Sequence, residues 1–332
     1  MGDISDTAPR GAKLRWNLAG IAAGLGILIL VFSISGASLS GILTSLQKVS
    51  WVTYVAAGLS LALIVVLAAW KWKIVLDETL DGQSLPLGLA TSATATGALL
   101  GQIISIQVSV PIVRAWIARR RGIGVHAAVG TSLFEQMLEL VTLGFAAIAS
   151  VVLIATSGSI WVALAALGAL CICGTLAIRP TLALGATILN WLPAPTILAG
   201  GKDRLSTGLK LMSDQRASAL GLLMAISLFR YAAITALNVG IMIAIAPSID
   251  PMPLIIAFPI ILLAASLPFL PAGLGAAELS WVGALVLQGI DPAQATEMAI
   301  TLRVVSLAAY FGVYPFLYMA GHIGTPRSDT KS

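Results

Sequence analysis

An all-α polytopic membrane fold is what this chain predicts, and three observations carry it. Hydrophobic residues make up 58% of the 332 residues and charged residues only 10%, against about 25% charged in an ordinary soluble domain. Mean hydropathy is +0.98. The apolar stretches are continuous runs, unlike the short alternating segments of a membrane barrel, and several approach the roughly 20 residues that cross a hydrocarbon core. The net charge of +5 does not point to nucleic acid, because the basic residues lie between the apolar runs. There they set topology and meet anionic lipid headgroups at the cytoplasmic face.

In chain order, apolar runs fall near 16–35, 51–70, 87–110, 126–156, 160–178, 217–246, 254–270, 273–290 and 298–320. Arg10, Lys13 and Arg15 precede the first run, which is longer than the apolar core of a cleaved signal peptide and reads as an uncleaved helix. Ser40–Ser50 reads as an interfacial segment on the outer face and Asp77–Pro86 as a cytoplasmic loop. Residues 179–216 read as the largest cytoplasmic connection and 325–332 as a polar cytoplasmic tail, which leaves one membrane domain over 1–324.

Full crossing by every run would put nine basic residues, among them Arg114 and Arg119–Arg121, outside, against the positive-inside rule. Letting 87–121 and 254–290 turn back within the membrane from opposite faces repairs this. The result is six full crossings plus two oppositely inserted re-entrant hairpins (counted as eight or nine spans if the arms are taken separately), with both termini cytoplasmic and an inverted repeat as the implied architecture. Sixteen basic residues, Lys71 and Lys73 included, then lie inside and only Lys48 outside. The first hairpin is rich in small and hydroxylated residues, such as Thr94, Gly97, Gly101, Ser105 and Ser109, which allow close packing and satisfy a turned backbone. The second breaks at SLPFLPAGLGAAELS, Ser266 to Ser280, where Pro268, Pro271, Gly273 and Gly275 interrupt an apolar run; Pro removes a backbone donor and clashes with the preceding turn.

Ionisable residues at membrane depth are site candidates. Glu278 follows the glycine break in the first turn of a helix, where unpaired N–H groups hold an anion or cap the carboxylate. Arg303 and Arg230 lie within apolar runs and suit bidentate phosphate binding, or else pair with Glu278, Glu135 or Glu139. Glu135 and Glu139 share one helix face and either relay protons or hold Arg114. His126 and His322 read as interfacial, and Cys171 and Cys173 as packing residues on different faces of a helix. Metalloprotease, hydrolase, P-loop and dinucleotide motifs are absent from the sequence, so no cofactor, metal or catalytic residue is expected.

Two blocks carry a resemblance. LPFLPAGLGAAELS followed by QGIDPAQATEMAITLRVVS resembles the signature of the lysylphosphatidylglycerol synthase transmembrane-region family, also described as flippase-like membrane proteins. In that family a Pro-x-Gly-Gly-x-Gly-x-x-Glu motif precedes an Arg in the next helix. Pro271, Gly273, Gly275, Glu278 and Arg303 match, with Ala272 in place of one glycine. VPIVRAWIARRRGIGVHAAVGTSLFEQMLEL resembles the first-half block, with Arg114 and Glu135 matching. It departs where Val110–Pro111 replaces an acid and Gln136 an arginine.

The resemblance implies a flippase-type membrane module that moves a lipid, whether anionic, aminoacylated, isoprenoid-linked or hopanoid-related, across a bacterial inner membrane. No aminoacyl-transferase domain is recognised, so synthase activity is not expected. Glu278, Arg303, Arg230, Gly273, Gly275 and Arg114 are then expected at the substrate site, with Glu135 and Glu139 as a charge relay. A non-catalytic scaffold subunit of a lipid-synthesis complex and a membrane-embedded lipid transferase are the competing expectations, and an oligomer is compatible with any of them.

Overall fold

The computed structural model describes residues 26, 29–80, 84–156, 160–191, 213, 216–266 and 273–321. Eleven helices and no strand occur among them. A short helix α1, Ile29–Ser35, bends by 96° into α2, Leu39–Lys48. The bend lies at Gly36, whose φ of +73° is a left-handed value that glycine takes without steric cost. The Ser38 side chain caps α2 by accepting from the Gly41 N–H at 3.0 Å, so the interfacial segment read over Ser40–Ser50 is a helix turned off the first one.

Among the described residues, five helices are long and apolar enough to cross a membrane: α3 (Trp51–Thr79), α6 (Val125–Ala155), α7 (Ile160–Trp191), α8 (Ala217–Ile245) and α11 (Pro292–Ala320). The bent α1–α2 pair would be a sixth. α7 runs through Pro180 to Trp191, so the start of the region read as a cytoplasmic connection continues the helix. Residues 192–212 of that connection, and the tail 325–332, lie outside the described residues.

The remaining helices form two pairs. α4 (Leu87–Gly101) and α5 (Ile106–Arg119) have 15 and 14 residues, and α9 (Pro251–Ala265) and α10 (Ala276–Val286) have 15 and 11. At 1.5 Å per residue such helices reach roughly 17–23 Å, short of the about 30 Å hydrocarbon core. Each pair packs arm against arm, as the two re-entrant segments require.

Small residues make the close approach. A Cβ at Gly97 would lie 2.7 Å from Val110 Cα, and one at Gly101 2.7 Å from Ile106 Cα. Ser109 Oγ donates to Gly97 O at 2.6 Å across the same seam. In the second hairpin a Cβ at Gly273 would meet Ala265 Cα at 2.6 Å, so the chain returns directly against the end of α9. Gly273 and Gly275 have φ of +70° and +82°. Pro268 and Pro271 lie outside the described residues.

The order long–short–short–long occurs twice. α3 to α6 have 29, 15, 14 and 31 residues; α8 to α11 have 29, 15, 11 and 29. α7 stands between them, so alternate crossing by the long helices turns the second unit upside down relative to the first. The largest apolar cluster joins α3 and α8 to α11 around Phe258, Trp281, Leu285 and Val305. A smaller one joins α3 to α6 around Trp72, Ala93, Ala118 and Ala128. α11 fastens the halves: Tyr310 Oη donates to Ala95 O at 2.7 Å. Glu297 Oε1 accepts from Ser38 N and Ser38 Oγ, both at 2.9 Å, which ties the α1–α2 bend to α11.

Candidate functional site

The charged residues gather at two cavities, not in one groove. The first has a volume of about 350 Å³ and lies among α3, α4, α5, α6, α8 and α9. Arg114, Glu135, Glu139 and Arg230 line it, with Gln107, Gln136 and Tyr231. Arg114 projects from α5 because the Gly97–Val110 seam draws that arm against α4. Its Nη1 donates to Glu135 Oε2 at 2.9 Å and to Ser132 Oγ at 3.0 Å. Its Nε donates to Thr94 Oγ1 and its Nη2 to Ala68 O, each at 3.1 Å. The guanidinium also lies 4.9 Å from the Trp72 ring centroid, within cation–π range. Arg114 is fully buried, although the charge pattern reads it as a cytoplasmic basic residue. Its neighbours Arg119, Arg120 and Arg121 are exposed, and Arg120 stacks on Trp116 at 3.7 Å.

Lys71 is the functional candidate that sequence reasoning missed. It counted as a cytoplasmic anchor, yet it is fully buried. Its Nζ lies 3.2 Å from Glu135 Oε1, donates to Ser227 Oγ at 2.9 Å, and pairs with Glu139 Oε1. Arg230 Nη1 pairs with Glu139 Oε2, and Arg230 Nε donates to Ile64 O at 3.2 Å. Lys71, Glu135, Glu139, Arg114 and Arg230 therefore form one continuous chain of ion pairs over four helices. A carboxylate buried away from water needs such partners. All four carboxylate oxygens of Glu135 and Glu139 are engaged by these cations.

The second cavity, of about 210 Å³, is lined by Glu278 and Arg303 together with Asn238, Phe258, Trp281 and Tyr310. Glu278 lies in the first turn of α10. Its Oε2 accepts from the Gly275 N–H at 2.7 Å and its Oε1 from Arg303 Nη1 at 2.7 Å. The backbone bond explains the local sequence: glycines at positive φ start the helix, and an acid three residues after the cap satisfies an orphan donor. The carboxylate thus both locks the break and holds the arginine. Phe258 stacks between Tyr231 and Trp281, with centroids 6.3 and 5.8 Å away, an aromatic bridge from the first cavity to the second.

Ile106, Leu262 and Ala265 line both cavities. They lie at the start of α5 and in the last turn of α9, so one arm of each hairpin borders both cavities. Of the pairings open to Arg230, with Glu278, Glu135 or Glu139, the one with Glu139 forms; its position on α8 faces α3 and α6, so it lies in the first cavity and not beside Glu278 and Arg303. His126 is exposed, Cys171 is buried and Cys173 exposed, while His322 lies outside the described residues. Among the described residues no three His, Cys, Asp or Glu side chains gather as a metal ion would require.

A family model described as the lysylphosphatidylglycerol synthase TM region matches residues 17–313. No curated protein and no solved structure matches the chain.

Proposed function

The chain belongs to the lysylphosphatidylglycerol synthase TM-region family, and from that premise we propose that it is a lipid translocase of the bacterial inner membrane, with both termini cytoplasmic. It passes the headgroup of a phosphate-bearing lipid between the two cavities while the acyl or polyprenyl chains stay in the bilayer. The observation that carries this reading is the shared border. Among the described residues, those that border both charged cavities are the apolar Ile106, Leu262 and Ala265, whose side chains offer an ion no ligand and tie neither hairpin down by a polar bond. Arg230 holds the headgroup on one side, with Arg114 fixing Glu135 behind it, and Arg303, oriented by Glu278, holds it on the other. Gly273 and Gly275 shape the turn that presents Glu278. Rocking of one unit against the other would open each cavity in turn.

The test is headgroup accessibility in proteoliposomes. Glu278→Ala and Arg303→Ala each strand the partner's charge in a low-dielectric site, so the transport rate falls about tenfold or more. Glu278→Gln retains a carbonyl for the Gly275 N–H and so separates folding from charge pairing. Undiminished transport in all three removes the pair from the mechanism, and a product of altered mass assigns the site to a transferase.

A further inference from the structure

The two cavities differ in net charge, and the difference bears on which headgroup the translocase reading above should involve. Among the described residues that line it, the second holds one cation and one carboxylate, Arg303 and Glu278. The network at the first holds three cations, Lys71, Arg114 and Arg230, against two carboxylates, Glu135 and Glu139. One positive charge is left over, and the bonding shows where it is available.

Both oxygens of each carboxylate are taken. Glu135 engages Lys71 through Oε1 and Arg114 through Oε2; Glu139 engages Lys71 through Oε1 and Arg230 through Oε2. Lys71 uses its three donors on Glu135, Glu139 and Ser227. Arg114 spends all three of its nitrogens on Thr94, Ser132, Glu135 and Ala68. Arg230 bonds through Nε and Nη1 only. Its side chain is 21% exposed, against 0% for Lys71 and Arg114. Its Nη2 edge has no partner among the described residues and belongs to a residue that lines the cavity. Lys71, by clamping both carboxylates, leaves that edge unspent.

We propose that the first cavity takes a lipid headgroup with one net negative charge, a phosphodiester with no compensating ammonium, bound at the open edge of Arg230. Fork geometry and fixed charge suit an arginine to phosphate oxygens. An ammonium-bearing headgroup finds no free carboxylate oxygen here and brings its charge close to three cations. The polar groups of the remaining wall, Gln107, Gln136 and Tyr231 among them, are uncharged, so they can accept from an ammonium but do not neutralise it. The class is therefore anionic and not aminoacylated.

The experiment is native mass spectrometry of the full chain, delipidated and offered phosphatidylglycerol, phosphatidylethanolamine or lysyl-phosphatidylglycerol. Phosphatidylglycerol is retained about tenfold better than the other two; Arg230→Gln abolishes the preference and Arg230→Lys restores most of it. Equal retention of the lysyl lipid overturns the proposal. So does a preference that survives Arg230→Gln, which would place the lipid on exposed Arg119–Arg121 instead. If Arg230→Gln does not fold, Ala98→Leu narrows the cavity with every charge kept, and an intact preference there overturns it equally. Translocation is judged separately. Selective retention without movement across liposomes ends the translocase reading and leaves this assignment standing, whereas movement of lipids without selectivity does the reverse.

Discussion

Lys71 shows how a single side chain escapes a charge-pattern reading. It lies near the end of an apolar run and is followed by Lys73, so positive-inside counting assigns both to the cytoplasm. The helix wheel separates them. Lys71 falls three residues after Ala68 and four before Val75, on the buried stripe of α3, while Lys73 points away and pairs with Asp77. The partners of Arg114, Arg230 and Arg303 were legible because an ionised group at membrane depth needs an opposite charge, and few carboxylates were on offer. Which carboxylate each takes depends on helix packing, and that is why Arg230 parted from Glu278. Lys71→Met leaves Glu135 and Glu139 adjacent with no cation between them. It lowers unfolding free energy in detergent by about 3 kcal/mol, read from denaturant titration; a change within error shows that Arg114 and Arg230 suffice alone.

At the level of elements, both hairpins were legible from punctuation: hydroxylated and small residues in the first, paired proline and glycine in the second. What the sequence left open was the contact each glycine makes. A Cβ at Gly273 meets the Ala265 backbone at 2.6 Å and sits at φ +70°, whereas one at Gly283, inside α10, meets nothing within 4 Å. Gly273→Ala therefore costs at least about 2 kcal/mol through strain and crowding. Gly283→Ala is neutral or stabilising, because alanine is the better helix former. Thermal unfolding of the two variants side by side checks the pair, and equal melting temperatures remove the pinch at the turn. The 96° bend between α1 and α2 was legible only as a boundary, since its partner, Glu297, lies 259 residues beyond Ser38.

For the whole molecule, two long–short–short–long units flank α7, an order that has no visible counterpart as sequence identity between the halves. Arg119, Arg120 and Arg121 crowd the turn after the first hairpin, whereas the corresponding turn after the second, Leu287–Asp291, carries an acid and no cation. Cations at one turn and none at its equivalent are what the positive-inside rule asks of two oppositely inserted units. Cysteine placed at Arg120 should react with an impermeant maleimide only after the membrane is permeabilised, and cysteine at Lys48 in intact cells. Simultaneous labelling of both in intact cells would overturn the topology. The charges within the units are also transposed. The second arm of the first hairpin carries Arg114 toward an acid on the following span, and that of the second carries Glu278 toward an arginine. The cavities are also unequal, about 350 against 210 Å³. If the rocking proposed above makes the two units trade postures, the roomier vestibule should change places with the tighter one without any helix having to be rebuilt.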